Sequence, residues 1–197
     1  MVEWIIHHWI EIAGTLFGLA YVLLEVKQHN AMWFVGIITS LLYIIVFFQS
    51  QFYADMGLQV YYVFVSVYGW FMWKHGGGDH TELQIQNIRI VYALVLAIIT
   101  VLIFFIISYI LVHYTDSPVP YWDSFTTALS ITATYMLAHK YIEQWFIWMI
   151  VNGVSIWLYW NKELYSTVVL FSVYFILSVI GYTVWFREHT QAKHLQL

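Results

Sequence analysis

Seven apolar stretches follow one another with little between them, at roughly 4–24, 32–48, 55–73, 89–113, 121–138, 144–160 and 165–185. Each is close to the ~20 residues that cross the hydrocarbon of a bilayer. Such a chain has too little polar material to build a soluble surface. Hydrophobic residues make up 62% and charged residues 9% of the sequence, against about 25% charged in soluble domains. The expected class is an all-α membrane protein with seven transmembrane helices. The first stretch has no basic residue before it and runs to full spanning length, so no cleavable signal is expected. With no cysteine in the chain, disulfides, thiolate metal sites and cysteine nucleophiles are excluded.

The stretches come in two copies, 112 positions apart and without a gap. At that offset Trp33 falls on Trp145, Tyr53 on Tyr165, Tyr62 on Tyr174, Ser66 on Ser178, Gly69 on Gly181 and Trp73 on Trp185. Spans 1–3 thus correspond to spans 5–7, and an odd number of spans separates the copies, so they are parallel repeats with span 4 as the inverting linker. This 3+1+3 order is the SWEET-like arrangement, in which a substrate lies between two rocking halves. The expected divisions are 1–74 for the first repeat, 75–116 for a loop plus linker helix, 117–187 for the second repeat and 188–197 for a tail. The run His75-Gly76-Gly77-Gly78-Asp79-His80 reads as the flexible linker.

Lys27, Lys74, Arg89, Lys140, Arg187 and Lys193 fall on one side of a seven-span layout and Lys162 on the other. By the positive-inside rule the N-terminus is outside and the C-terminus cytoplasmic. Nothing resembles a basic nucleic-acid-binding arm, and the formal charge of -4 does not point to one.

Polar residues at membrane depth are costly unless packed against protein or wetted by a pathway. In span 6, Trp145, Trp148, Asn152, Ser155 and Tyr159 recur at spacings of three and four and form one helical stripe. An aromatic packing seam with an interhelical amide bond would give the same pattern. Two indoles one turn apart followed by an amide also suit a flat, polar, cationic ring. In span 3, Gln59, Tyr62 and Ser66, with Gly69 or Trp70, follow the same spacing, and Gln59 serves either a ligand or a neighbouring helix. Thr39, Ser40 and Tyr43 on span 2 and Thr126, Thr127 and Thr132 on span 5 are weaker candidates, because hydroxyls in membrane helices commonly bond their own backbone.

Asp55 and Asp123 begin spans 3 and 5, where the helix dipole favours negative charge, and read as capping residues. Glu11 in span 1 suits helix orientation, attraction of a cation or carriage of a proton. Gly14 and Gly18 have the G-x-x-x-G spacing that lets a helix pack closely on a neighbour.

Several ordered motifs resemble the PnuC family of vitamin transporters. In the first half these are Trp9-Ile10-Glu11 with Gly14, Phe47-Phe48-Gln49 through Gln51 to Tyr53-Ala54, Leu58-Gln59-Val60, and Tyr68-Gly69-Trp70 with Trp73. In the second they are Trp122-Asp123-Ser124, Leu129-Ser130, Lys140-Tyr141 with Glu143, and the W-x-x-W-x-x-x-N run of Trp145, Trp148 and Asn152. The resemblance implies a SWEET-like fold, a homotrimer, and facilitated uptake of nicotinamide riboside, with thiamine as the alternative substrate. It implies substrate contacts from Trp145, Trp148 and Asn152, with Gln59 as a further contributor; Tyr62 and Tyr43 are added from their placement on spans 3 and 2. The expected partners are a cationic aromatic vitamin, membrane lipid and a cytoplasmic kinase that traps the product, and no cofactor is expected. The location implied is the bacterial inner membrane.

Other classes lack their required residues. There is no G-x-x-x-x-G-K-[ST] loop for nucleotide hydrolysis. No mid-membrane pair of acids presents itself for ion exchange or aspartyl proteolysis. Residues 165–185 contain no lysine to hold a retinal Schiff base, and the histidines fall near span ends or in loops rather than facing each other for haem. A structural membrane protein without a substrate is the remaining competitor.

Overall fold

The structure is a computed structural model describing the backbone of residues 2–49, 53–78, 81–161 and 163–195, and the side chains of 13–45, 48, 56–78, 81–161 and 163–194. Among the described residues there are seven helices: α1 (Val2–Val26), α2 (Ala31–Gln49), α3 (Tyr53–His75), α4 (Ile90–Tyr114), α5 (Pro120–Ala138), α6 (Gln144–Asn161) and α7 (Tyr165–Leu195). Among the described residues there is no strand, only an isolated parallel bridge between Gln86 and Tyr141. Of these helices, Ile90–Tyr114 and Tyr165–His194 are long and apolar enough, by length and composition alone, to cross a membrane. Each helix covers its expected apolar stretch. α7 alone runs well past it, continuing as a polar helix through 188–195.

The chain divides into two compact units, Met1–Gln84 and Ile85–Leu197. In the first, α2 packs against both α1 and α3; in the second, α4 packs on α5, α5 on α6 and α6 on α7. The connection after α3 belongs to the first unit as far as Gln84, and its remainder from Ile85, with α4, to the second.

Residues 112 apart adopt matching local structure. α1 ends with Gln28 N–H donating to the Glu25 carbonyl at 2.9 Å and His29 N–H to the Leu24 carbonyl at 2.9 Å. α5 ends with Lys140 N–H donating to the Leu137 carbonyl at 2.9 Å and Tyr141 N–H to the Met136 carbonyl at 3.0 Å. These bonds satisfy carbonyls that a helix end otherwise leaves open. Gln28 and Lys140 both take the left-handed conformation that this closure requires, with φ of 52° and 51°.

The helix pairs that follow repeat the correspondence. On α2, Trp33 lies against Gly69 of α3 and stands edge-on to Trp73 with centroids 5.5 Å apart. On α6, Trp145 lies against Gly181 of α7 and stands edge-on to Trp185 at 5.6 Å. All four indoles are buried. In lipid, helices associate through van der Waals contact at small residues rather than through exclusion of water. A glycine facing a tryptophan gives that contact its largest area, and the edge-to-face geometry adds a favourable quadrupole interaction.

The connection expected to be flexible is instead bonded where it is described. Gly76 N–H donates to the Met72 carbonyl at 2.7 Å, and Gly77 N–H to the Thr81 carbonyl at 2.9 Å. A Cβ on Gly77 would sit 2.7 Å from the Glu82 carbonyl oxygen, so the close turn needs glycine there. Asp79 and His80 lie outside the described residues. Further on, residues 85–88 are strapped to the ends of α5 and α6. Gln86 N–H donates to the Lys140 carbonyl and Ile142 N–H to the Gln86 carbonyl, both at 3.1 Å. Ile88 N–H donates to Glu143 Oε2 at 3.1 Å, and His189 Nδ1, on the added turns of α7, donates to the Ile85 carbonyl at 2.8 Å.

Candidate substrate-binding site

α6 carries the polar stripe because its aromatic and amide residues recur at helical spacing. Trp145 is 1% exposed and packed on Gly181 and Trp185, with its indole Nε1 enclosed and without a hydrogen-bond partner among the described residues. One turn on, Trp148 is only half-buried. Its indole Nε1 is nevertheless enclosed and has no hydrogen-bond partner among the described residues. Asn152, 5% exposed, donates from Nδ2 to Ser178 Oγ of α7 at 3.2 Å, and Ser178 donates to the Tyr174 carbonyl at 2.8 Å. The interhelical amide bond that the packing-seam alternative called for is therefore present. It fixes the rotamer of the amide and leaves a donor from Trp148 on the same helical face.

Gln59, Tyr62 and Tyr43 are half-buried in the first unit. Gln59 and Tyr62 lie one turn apart on α3, and the Tyr62 ring neighbours that of Tyr61 with centroids 5.6 Å apart. The Tyr43 hydroxyl rests on Gly14 of α1, so the glycine admits an aromatic from α2 rather than a helix backbone. Several hydroxyl candidates are committed to their own helices: Thr39 donates to Val35, Thr126 to Trp122, and Thr132 to Ala128. Thr132 also bonds Thr100 of α4 at 2.6 Å.

Asp123 lies in the first turn of α5, where the dipole favours it, and accepts a hydrogen bond from Ser117 Oγ at 2.6 Å. The N-cap position itself, Val119, has no side-chain cap. The side chains of Glu11 and Asp55 lie outside the described residues. Two residues that sequence reasoning passed over stand out in the first unit. Glu25 is 2% exposed, and Tyr21 lies one turn before it on α1, with its ring against Gly36 of α2. The available signal was their spacing of four, masked by the apparent end of the apolar stretch beside Lys27. Among the described residues no group of histidines and carboxylates is arranged to hold a metal ion.

The chain matches the family described as nicotinamide mononucleotide transporter over residues 8–187. It is 26% identical to the nicotinamide riboside transporter PnuC of Escherichia coli (strain K12) over 205 aligned residues, covering 91% of this chain and 86% of that protein. The PnuC of Neisseria mucosa is 27% identical over 190 residues, covering 90% and 72%. In Haemophilus influenzae the corresponding transporter is 25% identical over 180 residues, covering 90% and 79%. A crystal structure of the vitamin B3 transporter PnuC superposes with a TM-score of 0.71 at 24% identity, covering 91% of this chain and 81% of the other, a likeness of fold. The chain is thus a transporter of a small molecule rather than an enzyme, its apolar helices fit a membrane protein, and it belongs to the nicotinamide mononucleotide transporter family.

Proposed function

We propose that this protein mediates facilitated uptake of nicotinamide riboside across the bacterial inner membrane by alternating access. In this reading all seven helices span, as two parallel three-helix repeats joined by α4, with the N-terminus outside and the C-terminus cytoplasmic. The protein works as a homotrimer, and a cytoplasmic kinase traps the product. Support for the repeat comes from the matched helix ends and the two Trp–Gly–Trp contacts at the same offset. Support for the substrate comes from the relatives, whose names give nicotinamide riboside as what they carry.

The proposed binding residues are Trp145, Trp148 and Asn152, with Gln59, Tyr62 and Tyr43. The observation that carries this reading is the face shared by Trp148 and Asn152. A ring that offers an enclosed N–H without a partner stands one turn from an amide held in place by Ser178. A pyridinium carboxamide has the flat positive ring to stack on the indole and the carbonyl to accept a hydrogen bond. Trp145 supports this face from beneath through its fixed contact with Gly181. Titration calorimetry of the purified protein is the test. Saturable heat with nicotinamide riboside and none with thiamine is expected; the reverse would refute the substrate assignment.

A further inference from the structure

One face of α4 bounds a cavity of about 700 Å³ that lies among α4, α5 and α6, within the second unit. Its walls are apolar, from Ala93, Ala97 and Phe104 of α4, Ala128 and Leu129 of α5 and Phe146 of α6. The two hydroxyls inside it, Thr100 and Thr132, share a hydrogen bond of 2.6 Å, and each also reaches a carbonyl of its own helix. Away from its mouth, the cavity therefore presents no polar group that lacks a partner. A flat polar solute would find nothing to bond there.

The mouth is different. The lining ends at Ile88 and Glu143. Arg89 stands one turn before Ala93, whose N–H donates to the Arg89 carbonyl at 3.0 Å, so the two residues share a face of α4. The Arg89 side chain is exposed, and among the described residues its guanidinium makes neither an ion pair nor a hydrogen bond. Glu143 accepts from Ile88 N–H through Oε2 at 3.1 Å, and its charge is not paired with Arg89. A free guanidinium fits a phosphate, and a carboxylate oxygen fits an ammonium that has N–H groups to donate. From Ala93 to Phe105 the lining runs about 18 Å along α4 at a rise of about 1.5 Å per residue. That is close to the ~15 Å of hydrocarbon in one leaflet. A spanning helix from a second copy would call for a slot along the whole of α4.

We infer that this cavity binds an acyl chain of a membrane phospholipid with an ethanolamine head, Arg89 holding the phosphate and Glu143 the primary ammonium. The inference rests on the proposed function only in placing Arg89 at a membrane surface. The apolar walls accept any acyl chain, so selection falls to the head. A choline head has no N–H to offer Glu143, and a glycerol head has no positive charge to meet it.

The test places the full-length protein in nanodiscs with equal parts of ethanolamine, choline and glycerol phospholipids of identical acyl chains. Native mass spectrometry after release into detergent reads both the lipid retained and the number of protein copies. The parent protein is expected to retain the ethanolamine lipid about tenfold over either of the others, the ratio that one charge-assisted hydrogen bond supports. Ala97→Phe fills the cavity and should remove most of the retained lipid at an unchanged copy number. Arg89→Gln, at an exposed side chain, should lower retention about tenfold. Glu143→Gln keeps an acceptor for Ile88 N–H and should bring the ethanolamine-to-choline ratio to within about twofold of unity. Equal retention of the three heads by the parent, or undiminished retention in Ala97→Phe, overturns the inference. A drop in copy number in Ala97→Phe assigns the cavity to a second copy of the chain and overturns it as well. Parent protein that retains the lipid but takes up no nicotinamide riboside in liposomes overturns the proposed function and leaves the lipid site standing.

Discussion

The Asn152 amide on α6 donates to Ser178 on α7 at 3.2 Å, and Ser178 is itself held by the Tyr174 carbonyl at 2.8 Å. The chain of bonds orients the amide before any solute arrives, which is the form a preorganised contact takes. Asn152→Leu should therefore weaken nicotinamide riboside binding by roughly 1–3 kcal/mol, the cost of a buried polar group left without its partner. Ser178→Ala only frees the amide to rotate and should cost about 1 kcal/mol. Calorimetry on both variants checks this, and unchanged affinity in folded Asn152→Leu removes the residue from the site.

The tryptophan face separates binding from packing. As a π-platform, Trp148 should tolerate Phe, which keeps a ring, better than Leu, which keeps only apolar bulk. Trp148→Leu is expected to abolish detectable binding and Trp148→Phe to retain part of it, at comparable thermal stability. Ligand should also quench indole fluorescence in the parent. Equal binding by the two variants without quenching would leave Trp148 a packing residue.

Gly69 and Gly181 face the rings of Trp33 and Trp145 too closely to accept a methyl group. Gly69→Ala and Gly181→Ala should each destabilise by about 1–3 kcal/mol, the usual cost of overpacking a core. Thermal unfolding in detergent measures it. Similar losses at the two positions are expected from the matched contacts, and a loss at one alone would break the equivalence.

The strap at residues 85–88 depends on one carboxylate. Glu143→Ala removes the acceptor for Ile88 N–H, a bond of 3.1 Å to a charged group. Hydrogen exchange at the Gln86 and Ile88 amides should rise by at least tenfold, matching the roughly 1.5–3 kcal/mol such bonds contribute. Unaltered protection would assign the strap's stability to Gln86 and the carbonyls of His139 and Lys140 alone.

The helices were legible because each apolar run is bounded by a polar interruption, such as Lys27-Gln28-His29-Asn30 or His139-Lys140. α7 ran ten residues beyond the expected 185 because helical hydrogen bonds do not depend on apolar side chains. There His189 gains a tertiary bond to Ile85 that no local pattern announces. On α6, the stripe was legible from periodicity, yet periodicity could not distinguish Trp145, fully buried and wedged on Gly181, from the half-buried Trp148. Glu25 was missed for a related reason. An acid two residues from a lysine at the end of an apolar run reads as a solvated terminus, and only the fold shows it buried.

The central claim is downhill transport of nicotinamide riboside by this chain alone, and uptake of the labelled solute into liposomes holding only the purified protein measures it most directly. The internal concentration is expected to rise to the external one and stop there, without ATP, sodium or a pH gradient. Absence of protein-dependent uptake, or accumulation above the external concentration driven by any of these, would contradict the account.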